Sequence, residues 1–332
     1  MRGGRRAACV AVAAAATALG ACGSFEREDV VLDLRVLAMR ASVPDQLVEI
    51  DLQDPPQPAE LLAQLVPSTM CALIADPARD RRLAWSMTLC LLDGDQACDS
   101  RARVMLASGT AEDPETAVPE PALCATVEPD GNLLAVLLEA ADEADVTAAI
   151  GGLEYGISLA VRGEDEAPAQ DQLAGKRLRV TPRVPVARTA STNPSLTRLD
   201  AAIDGGEPFA LTPGRCVEQP APPVLRPEQT MRITPVEAEG AREVYVLPRL
   251  DGGTQTFTES LTYQWLASAG SFSSGMTGGP RDVAGNPAPL FTDFKAPRAK
   301  DLRGPTDVQL WIVQRDERLG AQWYEACVRV VP

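Results

Sequence analysis

The stretch that decides the fold class is LEYGISLAVR, residues 153–162. Large apolar side chains stand at every second position from Leu153 to Val161, and small or charged residues stand between them. This period of two is that of a β-strand with one buried face. We therefore expect a sheet whose apolar face is buried, and the rest of the chain has to supply the neighbouring strands.

Other short strands are expected on both sides of this stretch. Their positions are residues 32–38, 70–75, 83–89, 178–180, 231–233, 244–246 and 261–265. The clearest hairpin lies at the end of the chain, where strands at 308–314 and 322–331 flank a turn at 316–320. Short strands separated by turn residues, with few helices, indicate a mainly β protein built from β-sandwiches.

One helix and one polar segment organise this β pattern into domains. Leu134, Leu137, Leu138 and Ala141 form an i, i+3, i+4, i+7 stripe, which predicts a helical insert near 132–150. Residues 188–194 are polar and without a pattern, and we place a domain boundary there. The prediction is a first sandwich over residues 30–187 and a second over residues 188–332.

The N-terminus has the parts of an export signal. Arg2, Arg5 and Arg6 form a basic head, and residues 7–18 are a small apolar run. This run is about half of the ~20 residues that a membrane-spanning helix needs, so we expect a cleaved signal over residues 1–21. Residues 22–29 would then be a short charged tether.

The sequence Leu19-Gly20-Ala21-Cys22 that ends the signal resembles the lipobox of bacterial lipoproteins. The resemblance implies that Cys22 is the lipidated first residue of the mature protein. An ordinary secretory signal with a chance cysteine is the alternative. Gly23 stands where an aspartate retains such lipoproteins at the inner membrane, so the resemblance implies an outer-membrane location, on the periplasmic or the cell-surface face.

Charge and composition exclude several classes of function. The formal net charge is −15, and it becomes −18 when the three arginines of the signal are removed. An acidic surface repels nucleic acid phosphates, so nucleic acid is not an expected partner. The chain has no histidine, which excludes Ser-His-Asp catalysis and histidine-ligated zinc.

The cysteines indicate an oxidising compartment. Apart from Cys9 in the signal and Cys22, the chain has six cysteines, and an even number in an exported chain predicts three disulfides. A metal site is the competing interpretation, but no C-x-x-C pair supports it. Six cysteines allow many connectivities. Cys90 and Cys327 fall on strand positions that point away from the core, so each needs a partner outside its strand. The pairing we favour is therefore Cys90–Cys98 and Cys216–Cys327, which leaves Cys71 with Cys124.

Three stretches of the chain resemble known families. Residues 263–272, YQWLASAGSF, are similar to the central strand and following loop of bacterial Ig-like and PKD-type domains, and residues 308–331 are similar to their last two strands. The first half of the chain, through its segments 33–38, 75–77 and 85–90, resembles predicted surface lipoproteins that carry such domains in tandem. The resemblance implies two Ig-like β-sandwich domains in tandem, the first with the helical insert, and an aromatic core residue at Trp265.

Two groups of residues are candidate sites. Asp93, Asp95 and Asp99 lie in and just after the expected Cys90–Cys98 loop, where carboxylates can coordinate calcium; an acidic solvated turn is the alternative. Trp311 and Trp323 share the face of the last hairpin that points away from its core. If that face is exposed, they form a partner surface, and otherwise they belong to a covered second layer.

These observations lead to one expected function and two alternatives. We expect a non-catalytic envelope lipoprotein without a cofactor, anchored in the membrane through lipidated Cys22. It would act as an adhesion, scaffold or protein-interaction module whose partner is an envelope protein or a glycan. The first alternative is a carbohydrate-binding module that uses the aromatic face. The second is a hydrolase that depends on a carboxylate pair.

Overall fold

The computed structural model describes residues 27–50, 56–76, 81–92, 98–111, 123–143, 151–185, 187–249 and 251–332. Strands account for 49% of the structure and helices for 10%, so the predicted mainly β class is confirmed. The strands form several sheets, which are curled into half-barrels.

The first half of the chain contains eight of the described strands and two helices. The strands are β1 (Arg35–Ala41), β2 (Asp45–Val48), β3 (Ser68–Ala75), β4 (Leu83–Leu92), β5 (Cys98–Ala111), β6 (Cys124–Val127), β7 (Leu153–Gly163) and β8 (Gln172–Pro182). The helices are α1 (Pro58–Leu62) and α2 (Gly131–Glu143). These strands form sheet I, of order β1-β3-β6, and sheet II, of order β2-β8-β7-β4-β5.

The second half contains the other described strands and no α-helix among its described residues. The strands are β9 (Leu196–Ile203), β10 (Phe209–Ala210), β11 (Val224–Leu225), β12 (Thr230–Glu237), β13 (Val244–Pro248), β14 (Thr254–Thr258), β15 (Thr262–Ala267), β16 (Ser271–Phe272), β17 (Met276–Gly278), β18 (Thr292–Lys295), β19 (Thr306–Arg315) and β20 (Ala321–Val330). Sheet III has the order β10-β9-β12-β18-β16, sheet IV has the order β11-β20-β19-β15-β17, and β13 pairs only with β14.

The strand predicted from residues 153–162 is confirmed as β7. Tyr155, Ile157, Leu159 and Val161 are fully buried in the cluster between sheets I and II. Leu133, Val136 and Leu137 of α2 join the same cluster, so the helix packs against the sheets. The predicted stripe is wrong in phase: of its residues only Leu137 is buried, whereas Leu134 is half-buried and Leu138 and Ala141 are exposed. The face that meets the sheets is centred one residue earlier and includes Val136. The helix begins at Gly131, and residues 144–150 of the predicted insert lie outside the described residues.

Sheets I and IV are each buried on both faces. Met70, Ala72 and Ile74 of β3 face the cluster with sheet II, whereas Leu73 and Ala75 face Leu266, Trp311 and Val313 of sheet IV. The opposite face of sheet IV packs on sheet III around Trp265, which is fully buried as predicted. The sheets therefore follow one another in the order II, I, IV, III. Burial on both faces explains why residues 70–75 of β3 and 308–313 of β19 are nearly unbroken apolar runs and do not alternate.

The strand expected at 32–38 differs from the structure in its alternation. A β-bulge between Val36 and Ala38 interrupts the period of two, so that Leu37 and Ala38 both face sheet IV.

The last residues of the predicted tether are folded onto sheets III and IV. The Asp29 carboxylate accepts a hydrogen bond from the Phe272 backbone N–H at 2.7 Å, and Val30 forms a bridge with Ala267 of β15. Arg27 pairs with Asp29 at 2.9 Å. The segment expected to lift the fold off the membrane is therefore fixed to the second half of the chain, at least from Arg27 onward, because Asp29 finds a backbone donor there.

Candidate functional site

A cleft of about 810 Å³ lies where the two halves of the chain meet. One side is formed by strands β4, β7 and β8 of sheet II, and the other by residues 315–320, which include the turn between β19 and β20. We call it the junction cleft. Its volume is within the range that small-molecule and peptide sites occupy.

The floor of the junction cleft consists of small side chains on the outer face of sheet II. Since Tyr155 and Ile157 point into the core, the alternation of β7 directs Gly156 and Ser158 outward. A Cβ atom on Gly156 would lie 2.6 Å from Leu92 Cδ2 and 2.9 Å from Cys90 Sγ. Glycine at this position therefore lets the Cys90–Cys98 bond lie flat against the floor.

The opposite side of the cleft is fixed by an ion network around Arg318. Its guanidinium contacts the carboxylates of Asp45 at 3.3 Å, Glu243 at 3.2 Å and Glu259 at 3.5 Å. It also donates to the Thr189 carbonyl at 2.8 Å and lies over the Tyr245 ring. Because these partners come from sheet II, the connecting segment and the second half, the network holds the turn in place.

Burial in this region shifts the pKa of three ionisable groups. Desolvation lowers the pKa of Lys176 to about 8, against the attraction of Asp316. Desolvation also raises the pKa of Asp316 to about 6, although its Oδ1 atom accepts hydrogen bonds from the Arg318 and Gly320 backbone N–H groups. The pKa of Glu259 rises to about 7 because of its burial and the neighbouring Asp316 and Glu243 carboxylates.

The junction cleft is suited to binding a polar ligand with negative charge. Arg315 donates to Gln264 Oε1 at 2.8 Å and to the Leu37 carbonyl at 3.1 Å, and Lys176 Nζ donates to the Leu319 carbonyl. Among the described residues, the hydrogen bonds donated by both cationic side chains therefore go to uncharged oxygen atoms. Asp171 and Asp316 are the carboxylates among the described lining residues, and Asp171 is already paired with Arg162 at 2.8 Å.

Sequence reasoning missed this site. The turn at 316–320 was expected only as the connection of the last hairpin, and no site was predicted at Lys176. The available signal was the turn itself, in which Arg315, Asp316 and Arg318 follow a long apolar strand. Nothing in the sequence placed that turn against β8.

The three disulfides have the predicted pairing. Cys71 and Cys124 lie opposite each other in sheet I, Cys90–Cys98 closes the end of the β4–β5 hairpin, and Cys216–Cys327 ties a short 3₁₀ turn to β20. Cys90 and Cys327 lie on strand faces that point away from the core, as the alternation predicted, and each finds its partner outside its own strand.

The partner-surface interpretation of Trp311 and Trp323 is wrong, because sheet I covers this face. Trp311 is 2% exposed and packs with Leu73 and Ala75 of β3. Trp323 is partly buried at the edge of the same cluster, beneath the guanidinium of Arg40. The covered second layer, the other of the two interpretations, is what the structure contains.

The remaining predicted site residues lie outside the described part of the chain. This applies to Leu19, Gly20, Ala21 and Cys22 of the lipobox, and to Asp93 and Asp95 of the calcium hypothesis. Asp99 is in β5, but its side chain is not among those described. Within the described ranges, no group of three or more His, Cys, Asp or Glu side chains is placed to hold a metal ion.

None of the described helices combines the length and the apolar character needed to cross a bilayer. No protein-family model matches the chain, and no curated protein matches it either. The interpretation of function therefore depends on the residues and their geometry.

Proposed function

We propose that this protein is a non-catalytic, exported lipoprotein that acts as a rigid protein-interaction module at the cell envelope. In this proposal residues 1–21 are removed, Cys22 carries the lipid, and the mature protein stands at the outer membrane. The two pairs of sheets would be tandem Ig-like β-sandwiches that present their edges and loops to a partner.

The observation that carries the proposal is that all six described cysteines are in disulfides. Such bonds persist in oxidising compartments and are rare in the cytosol, which agrees with the export signal. They fix one strand pair in sheet I, one hairpin of sheet II and one loop against sheet IV. A body cross-linked in this way keeps its surface in one shape, which suits a module that binds and does not need to move.

Packing between the halves supports the same role. The cluster around Trp311 joins sheets I and IV, and Asn193 of the connecting segment donates to the Ala41 carbonyl at 2.7 Å and accepts from the Ala321 backbone N–H at 3.0 Å. The two pairs of sheets are therefore held in one orientation, as a scaffold requires. The glycan alternative loses its aromatic platform, because Trp311 is buried.

Intact-mass measurement of the protein extracted from membranes tests the proposal. We expect a chain that starts at Cys22, carries the mass of acyl chains, and gains two hydrogens for each of its three disulfides on reduction. A Cys22→Ala variant should lose the acyl mass and leave the membrane fraction. An unmodified soluble chain, or one with free thiols, would contradict the proposal.

A further inference from the structure

One strand of sheet II has an open backbone edge inside the junction cleft. β2 pairs with only the last four residues of β8, Arg179–Pro182. The preceding residues of β8, from Gln172 to Leu178, pair with β7 on one side. In the described part of the chain no strand is hydrogen-bonded to their other side.

The hydrogen bonding between β2 and β8 shows in which direction the backbone N–H and C=O groups of residues 172–178 point. The Arg179 N–H donates to the Pro44 carbonyl at 3.1 Å, on the side of β2. Because hydrogen-bonding direction alternates along a strand, the backbone groups of Leu173, Gly175 and Arg177 point the same way. No described backbone group bonds to them there. These residues therefore offer three donors and three acceptors to an added strand.

The junction cleft provides space along this edge. Five successive residues of β8, from Leu173 to Arg177, line it. If only one face of β8 bordered the cleft, every second residue would line it, because side chains alternate between the two faces of a strand. Since consecutive residues line it, the cleft runs along the backbone edge of β8. Leu173 is 73% exposed there, and a Cβ on Gly175 would meet nothing closer than the Ile157 carbonyl oxygen at 3.9 Å.

The charge at this edge is opposite to that of the protein. The described lining has five cationic side chains and two carboxylates, in a chain whose formal net charge is −15. The charge of Arg318 is compensated by the Asp45, Glu243 and Glu259 carboxylates. The hydrogen bonds of Lys176 and Arg315 go to neutral acceptors, and Asp316 attracts Lys176 without a direct ion pair among the described residues. A partner that brings carboxylates to the cleft would compensate both cations.

We propose that the free edge of β8 binds an extended acidic segment of another protein, which adds as a strand along residues 173–177 and brings its carboxylates to Lys176 and Arg315. Backbone hydrogen bonds supply the affinity of such β-augmentation, and the side-chain charges select the partner. This inference rests on the proposed role as an interaction module and names the chemistry of the partner.

Peptide binding to the purified full-length mature protein tests the inference. The probe is a short blocked peptide of alternating glutamate and valine, and the same peptide with lysine in place of glutamate is its control. We expect saturable binding of the acidic peptide by calorimetry, weakened by added salt. Amide exchange at Leu173, Gly175 and Arg177 should be fast in the free protein and slow in the complex.

Substitutions separate the backbone and charge contributions. Gly175→Pro removes one outward N–H without breaking a bond to β7, and should abolish binding. Lys176→Met should weaken binding by about tenfold, whereas Lys300→Met, a lysine exposed elsewhere, should leave it unchanged. If Gly175→Pro does not fold, the Lys176 variant and the exchange measurement still decide the question.

Three results would overturn the inference. Equal binding of the acidic and basic peptides would remove the charge argument. Protection of the β8 amides in the free protein would show that the chain covers its own edge, for example with its acidic segment 112–122. Competition by phosphate or citrate without amide protection would indicate a small-anion site. None of these results affects the intact-mass test, so failure here is distinguishable from failure of the proposed function.

Discussion

Arg318 in the β19–β20 turn and Asp45 in β2 form an ion pair that is almost completely shielded from water. Their closest atoms, Nη2 and Oδ2, are 3.3 Å apart, and the two side chains are 8% and 0% exposed. The pair links residues 273 positions apart in the chain. Asp45 also accepts hydrogen bonds from Arg179, the Thr181 hydroxyl and the Ser191 N–H, so one carboxylate connects both halves and the segment between them.

Removing the charge of Asp45 should destabilise the protein strongly. Asp45→Asn leaves Arg318 and Arg179 buried with one counter-charge fewer, and breaking a buried pair from one side costs about 3 kcal/mol or more. Urea unfolding measures this as a lower free energy of unfolding. Glu49→Gln, which removes the exposed partner of Arg183, is the matched control and should cost less than about 1 kcal/mol. Similar costs for both variants would show that the network does not stabilise the junction.

Glu259 should make stability decrease as the pH rises toward neutrality. Burial and the Asp316 carboxylate raise the pKa of Glu259 to about 7 in the folded state, from an ordinary value of 4.5. The folded state therefore binds this proton more tightly than the unfolded state, so the contribution of Glu259 to the free energy of unfolding falls between about pH 4.5 and about pH 7.

The test is to compare Glu259→Gln with the wild type by denaturant unfolding at about pH 5 and about pH 7.5. The variant should lose less stability over this interval, because its amide stays neutral. Part of the slope should remain, since the pKa of Asp316 is raised in the same direction. The exposed Glu207→Gln variant serves as the control, and an unchanged slope in the Glu259 variant would contradict the assignment.

Trp311→Ala should separate a packing role from a binding role. Truncation of this buried side chain leaves a cavity between sheets I and IV and should cost about 3–5 kcal/mol. Urea unfolding measures the loss, and proteolysis within residues 188–194 should become faster. Trp323→Ala, at the edge of the cluster, should cost less. Unchanged stability together with lost partner binding would restore the exposed-surface hypothesis.

The three disulfides should contribute unequally to stability. In the chain-entropy model, closing the 111-residue separation of Cys216–Cys327 contributes about 5 kcal/mol, and closing the 8-residue separation of Cys90–Cys98 contributes about 2.5 kcal/mol. Paired serine substitutions, compared by urea unfolding, should therefore rank in this order. The reverse order would show that packing around each bond matters more than loop length.

The sequence by itself determined the local features of this protein. Alternation in residues 153–162 defined β7, the period of the apolar positions after Asp130 defined α2, and the strand phase of Cys90 and Cys327 led to the correct disulfides. These features depend on side chains a few residues apart, because the pleat of a strand and the pitch of a helix fix which neighbours share a face.

Only the tertiary structure decided what each face meets. The sequence shows that Trp311 points away from one core, but not that β3 of the other half covers it. It also shows a charged turn at 316–320, but not that this turn reaches Asp45 and β8. Both contacts join residues more than a hundred positions apart. Their partners are selected by packing whole sheets against each other, which no local pattern records.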